Sequence, residues 1–87
     1  MKYWVYIIKS KLDGSYYKGF SEDPYKRLLQ HNIGESTYTS GKIPWELVFL
    51  QSFTLKRDAL IREKILKKYS HAQIEILLES RLNELVG

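Results

Sequence analysis

The stretch Tyr3-Trp4-Val5-Tyr6-Ile7-Ile8-Lys9-Ser10-Lys11-Leu12-Asp13-Gly14-Ser15-Tyr16-Tyr17-Lys18-Gly19-Phe20 decides the fold. Tyr3 to Ser10 is rich in aromatic and β-branched residues, the composition of a buried strand. Asp13-Gly14 is a hairpin turn signal, because tight hairpin turns need positive φ and these residues accept it. Ser15 to Phe20 is then the return strand. Side chains alternate between faces along a strand, so the parity of the loop decides where Tyr6 and Tyr17 point. An even loop puts both phenols on one sheet face; an odd loop separates them. A two-residue turn at Asp13-Gly14 supplies the even case.

Outward from the hairpin, Ser21 or Asp23 can cap a helix whose first turn accepts Pro24. Tyr25, Leu28, Leu29 and Asn32 follow helical spacing, and Gly34 is the stop. Arg27 and His31 stand one helical turn apart, so they share one edge of this helix, flanking Leu28. Ile33 to Pro44 is a polar loop rich in Gly, Ser and Thr. Trp45 to Phe53 reads as a third strand. Thr54 then caps a long helix running to about Tyr69, and Ser70 with Gln73 makes a capping box that starts another. Its apolar stripe is Ile74, Leu77, Leu78, Leu82 and Leu85, either continuous to Val86 or broken near Ser80, with a helical tail expected over 80–87. The order strand, strand, helix, strand, helix, helix predicts an α+β fold: a small three-stranded, mostly antiparallel sheet flanked by helices.

At 87 residues the chain is expected to be one domain, 1–87, with one modest core. Its 44% hydrophobic and 28% charged content is that of a folded chain, not a disordered one. Seven tyrosines against three phenylalanines point to rings with one wet end, in or near a groove. A net charge of +4 fits a polyanionic partner. The absence of cysteine excludes a disulfide framework and a cysteine zinc site, and two histidines are too few for a histidine-only metal site. The longest apolar run, Tyr3 to Ile8, is too short for a membrane span or a signal segment, so a cytoplasmic chain with no membrane partner is expected.

Two phenols, a cation, an imidazole and a carboxylate now stand in order: Tyr6, Tyr17, Arg27, His31 and Glu63. The first motif is Val5-Tyr6-Ile7 and the second Tyr17-Lys18-Gly19. Pro44-Trp45-Glu46-Leu47-Val48-Phe49 and Ala59-Leu60-Ile61-Arg62-Glu63-Lys64 complete the set. With these motifs the chain resembles the GIY-YIG nuclease superfamily, and looks closest to its small stand-alone bacterial members. The resemblance covers about residues 3 to 79. It implies a metal-dependent DNA endonuclease that hydrolyses phosphodiester bonds, in repair, recombination or the processing of unusual DNA structures.

Physical reasons support each implied role. Arg27 can hold the anionic phosphate oxygens with its planar fork. Glu63 can bind one Mg²⁺ or Mn²⁺ ion, since Mg²⁺ often takes only one or two carboxylates and keeps its waters. A tyrosine would activate the attacking water. A free phenol has a pKa near 10, so Arg27 and the metal would have to favour the phenolate. Tyr6 is the favoured base and Tyr17 its orienting partner, with the reverse close behind. His31 can hydrogen-bond a tyrosine or the phosphate. Lys18, Arg27, Thr39, Lys42, Arg62 and Lys67 are the expected DNA contacts, holding phosphates and sugars without reading sequence.

The chain departs from the family pattern at Val5, which replaces a glycine, and at Lys18, which replaces an isoleucine. Phe20 would narrow the groove or stack on a base, and His71-Ala72 is less basic than in close relatives. Ordinary readings stand beside the catalytic ones. Tyr6 suits a core aromatic, His31 a helix C-terminus, and Glu63 an i,i+4 pair with Lys67. The competing functions are a nucleic-acid-binding module with the nuclease fold and little activity, and a protein-interaction domain using Trp4, Trp45 or the Leu82-Leu85-Val86 tail. With no room for a targeting domain, a protein partner that supplies targeting is a further expectation.

Overall fold

The computed structural model describes residues 1–85. Strand β1 (Tyr3–Ser10) lies in the middle of a three-stranded sheet, with β2 (Tyr16–Ser21) on one side and β3 (Trp45–Phe53) on the other. Both pairings are antiparallel. Helix α1 (Pro24–Asn32) follows β2, a single 3₁₀ turn (Ser40–Lys42) precedes β3, and α2 (Lys56–Leu66) and α3 (His71–Leu78) complete the order. The α+β architecture expected from the sequence is the one observed. No helix among the described residues is long and apolar enough to cross a membrane.

The hairpin obeys the parity argument with a longer loop. Ser10 N–H still donates to the Ser15 carbonyl at 2.8 Å, and the chain reverses through Lys11–Gly14, with Gly14 at φ +78°. The loop is even, so Tyr6 and Tyr17 share a face: Tyr6 pairs with Gly19, and Tyr17 pairs with Ile8.

The sheet is covered on both faces. Val5, Ile7 and Phe49 pack against Ala59 and Leu66 of α2 and Ile74 and Leu77 of α3. Tyr6, Ile8, Trp45 and Leu50 pack on the other side with Tyr17, Leu28, Ile43 and Leu47. A bulge makes this division possible. Ile7 pairs with Phe49 but Ile8 with Leu47, so Val48 is an extra residue and the parity of β3 reverses there. Trp45 and Leu47 therefore turn to the face of Tyr6, while Phe49 turns to the other.

Helix α1 is bounded as the sequence foretold. Asp23 accepts from Lys26 N–H at 3.1 Å and Pro24 opens the first turn. At its end Glu35 N–H donates to the Gln30 carbonyl and Gly34 N–H to that of His31, with Gly34 at φ +84°, a left-handed stop. Its inward side is narrower than expected: Pro24 and His31 are buried, whereas Tyr25 and Leu29 face solvent.

Three helix boundaries differ from expectation. Leu55, not Thr54, is the cap residue of α2, and its side chain makes no capping bond. The helix stops at Leu66 instead of near Tyr69, because Lys68 and Tyr69 N–H close onto the carbonyls three residues back. The tail after α3 is turns instead of helix. Asn83 is buried and donates to the carbonyls of Val48 and Leu78, while its Oδ1 accepts from Leu50 N–H. Glu84 N–H donates to the Leu50 carbonyl and its carboxylate accepts from Ser52. The tail thus covers the outer edge of β3, satisfying backbone groups that would otherwise be open to another chain. Val86, placed in the tail by its apolar pattern, lies outside the described residues.

Candidate active site

Tyr6 lies at the centre of the site. Its partner on β2 is Gly19, and that glycine decides where the phenol can go. A Cβ on Gly19 would stand 2.8 Å from Tyr6 Cε1 and closer still to Cζ and Oη. With no side chain there, the ring lies across the edge strand. The glycine is a clearance for Tyr6 rather than only a place where the strand bends. Tyr17 stands beside it, ring centroids 6.4 Å apart.

Helix α1 brings the imidazole. His31 is fully buried; its Nε2 is 2.9 Å from Tyr6 Oη, and its Nδ1 is 2.8 Å from Thr39 Oγ1. The Tyr17 ring meets the imidazole edge-on, centroids 5.1 Å apart. Arg27, one turn earlier on the same edge, is half-buried and donates Nη1 to Gln30 Oε1 at 3.0 Å. Helix α2 brings Glu63 to the same neighbourhood, half-buried and paired with Lys67 at 3.5 Å.

The electrostatics tie these residues together. Burial pushes the Tyr6 phenol up to about 12, Tyr17 and Glu63 add to the rise, and Arg27 opposes it. Arg27 therefore favours the phenolate, as expected, but burial outweighs it, and Tyr6 is a protonated donor at neutral pH. Burial first, then the Arg27 charge, pulls His31 down to about 4, so its imidazole is neutral. The other four candidates act on the Tyr6 phenol: His31 by a hydrogen bond, Tyr17 as a neighbouring ring, and Arg27 and Glu63 through charge.

A groove of about 540 Å³ opens beside Tyr17, lined by Tyr16, Tyr17, Lys18, Tyr38 and Lys67. Because β2 is an edge strand, residues from both of its faces border this one space: Tyr17 from one, Tyr16 and Lys18 from the other. Tyr38, 81% exposed, stands over it with its ring 5.8 Å from that of Tyr17.

Of the expected DNA contacts, Lys18 and Lys67 border the groove, and Arg27 acts by its charge on Tyr6 and His31. The others do not. Thr39 is fully buried, its hydroxyl committed to His31. Lys42 pairs with Asp13 at 3.3 Å and donates to Ser15 Oγ, tying the loop to the hairpin turn. Bonds from Ser15 hold the Asp13 carboxyl well below the usual carboxylate range. Arg62 donates to Gln51 of β3 and lies over Tyr69, on the far side of the sheet from β2. Phe20 stacks on Tyr3 with centroids 6.1 Å apart and is not among the residues that line the groove. Trp45 is buried, its Nε1–H donated to the Thr39 carbonyl, and is no exposed docking residue.

The donor set bears on the metal. Among the described residues no three His, Cys, Asp or Glu side chains gather as a cage. One half-buried carboxylate with hard oxygen donors fits Mg²⁺ or Mn²⁺, which keep waters and share a substrate phosphate. It does not fit a zinc site.

The antiparallel three-stranded sheet and its helices bring two tyrosines, an arginine, a histidine and a glutamate together, and a family match gives this arrangement its class, a nuclease fold. Residues 2–75 match the family described as the GIY-YIG catalytic domain, and the chain belongs to that family. The chain is 37% identical over 82 residues to UPF0213 protein YazA of Bacillus subtilis, covering 93% of this chain and 82% of YazA. It is 40% identical over 74 residues to a UPF0213 protein of Halobacterium salinarum, covering 84% of this chain and 95% of that one. The solution NMR structure of a UPF0213 protein from Bacillus halodurans superposes with a TM-score of 0.61 at 32% identity, over 98% of this chain and 90% of that one.

Proposed function

We propose that this protein hydrolyses phosphodiester bonds in DNA with one Mg²⁺ or Mn²⁺ ion held by Glu63. The observation that carries the reading is the convergence of Tyr17, Arg27, His31 and Glu63 on Tyr6. When bound, the ion would supply Lewis-acid stabilisation of developing negative charge. Arg27 holds the non-bridging phosphate oxygens. Tyr17, which faces the groove, positions the scissile phosphate and the attacking water. Tyr6 is 1% exposed, so DNA occupies the Tyr17 side, and the attacking water reaches the Tyr6 hydroxyl only when bound substrate brings it there. As water attacks phosphorus, its proton passes to Tyr6 Oη and the Tyr6 proton passes to His31 Nε2. Tyr6 ends neutral, His31 becomes imidazolium, and the P–O bond to the leaving oxygen breaks. The anionic phosphate favours that imidazolium, offsetting the burial that keeps His31 neutral beforehand.

A second reading has one observation in its favour. A Tyr6 that is buried and protonated suits a nucleic-acid-binding module with little activity as well as a poised enzyme. Cleavage of labelled duplex, branched, nicked and single-stranded DNA with Mg²⁺ or Mn²⁺, by wild type, Glu63→Ala and Tyr6→Phe, separates the two. Metal-dependent cleavage lost in both variants supports the nuclease. Salt-dependent binding with no cleavage supports the module. Because no element reads as a base-recognition helix, the panel varies structure before sequence, starting with forms that arise in repair and recombination.

A further inference from the structure

Thr39 lies in the loop before β3, where a phosphate contact was expected, yet its polar groups are all committed inside the protein. Oγ1 stands 2.8 Å from His31 Nδ1 and 3.5 Å from the Ser36 carbonyl. The Thr39 carbonyl accepts from Trp45 Nε1–H at 3.0 Å and from Lys42 N–H at 3.2 Å, and its own N–H donates to the Ser36 carbonyl at 3.2 Å. The loop is pinned on several sides around a hydroxyl aimed at an imidazole.

Proton counting decides the direction of the chain Tyr6–His31–Thr39. A neutral imidazole has one N–H, and each hydroxyl has one proton. In one arrangement Tyr6 O–H donates to Nε2, Nδ1–H donates to Thr39 Oγ1, and Thr39 O–H turns to the Ser36 carbonyl. Every proton then has an acceptor. In the reverse arrangement Thr39 donates to Nδ1 and Nε2–H donates to Tyr6 Oη. The Tyr6 proton is then stranded: among the described residues no other acceptor lies within hydrogen-bonding distance of it, and its nearby charged donor, Arg27, cannot accept. A stranded buried donor is costly.

We infer that Thr39 is a positioning residue that holds His31 in the Nδ1–H tautomer, leaving Nε2 as the acceptor for the Tyr6 proton. Its consequence for cleavage rests on the nuclease reading; the tautomer itself does not. A histidine ring's tautomer is set by the bond its other nitrogen makes, and here that bond comes from a loop hydroxyl.

The test is ¹⁵N NMR of the imidazole rings in wild type, Thr39→Val and Thr39→Ser. Only two histidines are present, and the solvent-exposed His71 serves as an internal reference. In wild type and Thr39→Ser, His31 should carry its proton on Nδ1. In Thr39→Val each tautomer leaves one buried donor unpaired, Nδ1–H in one and the Tyr6 O–H in the other, so the preference for Nδ1–H should be lost and the Nε2–H form should appear. Cleavage should fall on the order of 10- to 100-fold in the valine variant and be restored by serine, as expected for loss of a proton-transfer route. An Nε2–H ring in the wild-type protein overturns the inference without any variant, even if Thr39→Val does not fold. A Thr39→Val protein that folds and keeps Nδ1–H as its sole form overturns it too. If no form cleaves DNA, the nuclease reading fails while the ring spectra still decide the tautomer.

Discussion

Gly19 and His31 show how single residues set the chemistry of Tyr6. A methyl at Gly19 falls inside the phenol, and the Tyr6 ring, wedged in a packed face, must move as a body. Gly19→Ala should therefore destabilise the fold by about 1–3 kcal/mol, as overpacking does, and break the bond to His31. Urea denaturation checks this; an unchanged midpoint would refute the clearance argument. His31 gives a pH dependence of definite sign. The unfolded chain protonates His31 below about 6.5, but the folded chain resists until about 4. In that window the unfolded state binds more protons, so stability is fully present above it and falls as pH drops through it. The loss is on the order of 2 kcal/mol once screening by the surroundings is allowed for. Denaturation midpoints between pH 7.5 and 4.5 should show this slope in wild type and a flatter one in His31→Gln.

At the scale of elements, α1 carries its caps in its sequence, and Asp23, Pro24 and Gly34 act within a few residues of where they stand. The tail does not. Leu82 and Leu85 continue an apparent helical stripe, but Asn83 finds better partners on β3 than a helix would offer it. The bulge at Val48 moves that residue out of register, and Asn83 takes its carbonyl. Asn83→Ala would leave Leu50 N–H and two carbonyls without these partners, at a cost of about 1–3 kcal/mol. It should also raise amide exchange along β3. Hydrogen exchange of Leu50 and Ser52 measures this directly, and unaltered protection there would show that the tail does not guard the edge.

For the whole molecule, the +4 charge is less informative than its placement. Lys18 borders the groove, whereas Lys42 is held by Asp13 and Ser15 at the hairpin turn. Lys18→Gln should lower the slope of log affinity against log salt by about one, the effect of removing one phosphate contact. Lys42→Gln should leave it unchanged. Fluorescence anisotropy on a short labelled DNA across a salt series distinguishes them; equal slopes for the two variants would show that the groove is not where DNA lies.

The hairpin, the three strands, the order of elements and the candidate Tyr6, Tyr17, Arg27, His31 and Glu63 were legible in one dimension. Strand alternation, caps and turn residues are local, and the family motifs are short. Three features emerged only when the chain was folded: Thr39 turned inward onto His31, the tail laid along β3, and the division of the basic residues between groove and far side. Each depends on contacts between different elements of the fold, 8 residues apart for Thr39 and His31 and 33 for Asn83 and Leu50. A threonine in a polar loop reads as solvent-facing until an imidazole arrives beside it, and a lysine reads as free until its carboxylate partner does. Which polar groups are buried against each other is a property of the packed molecule, and here that packing sets His31 between the Tyr6 and Thr39 hydroxyls.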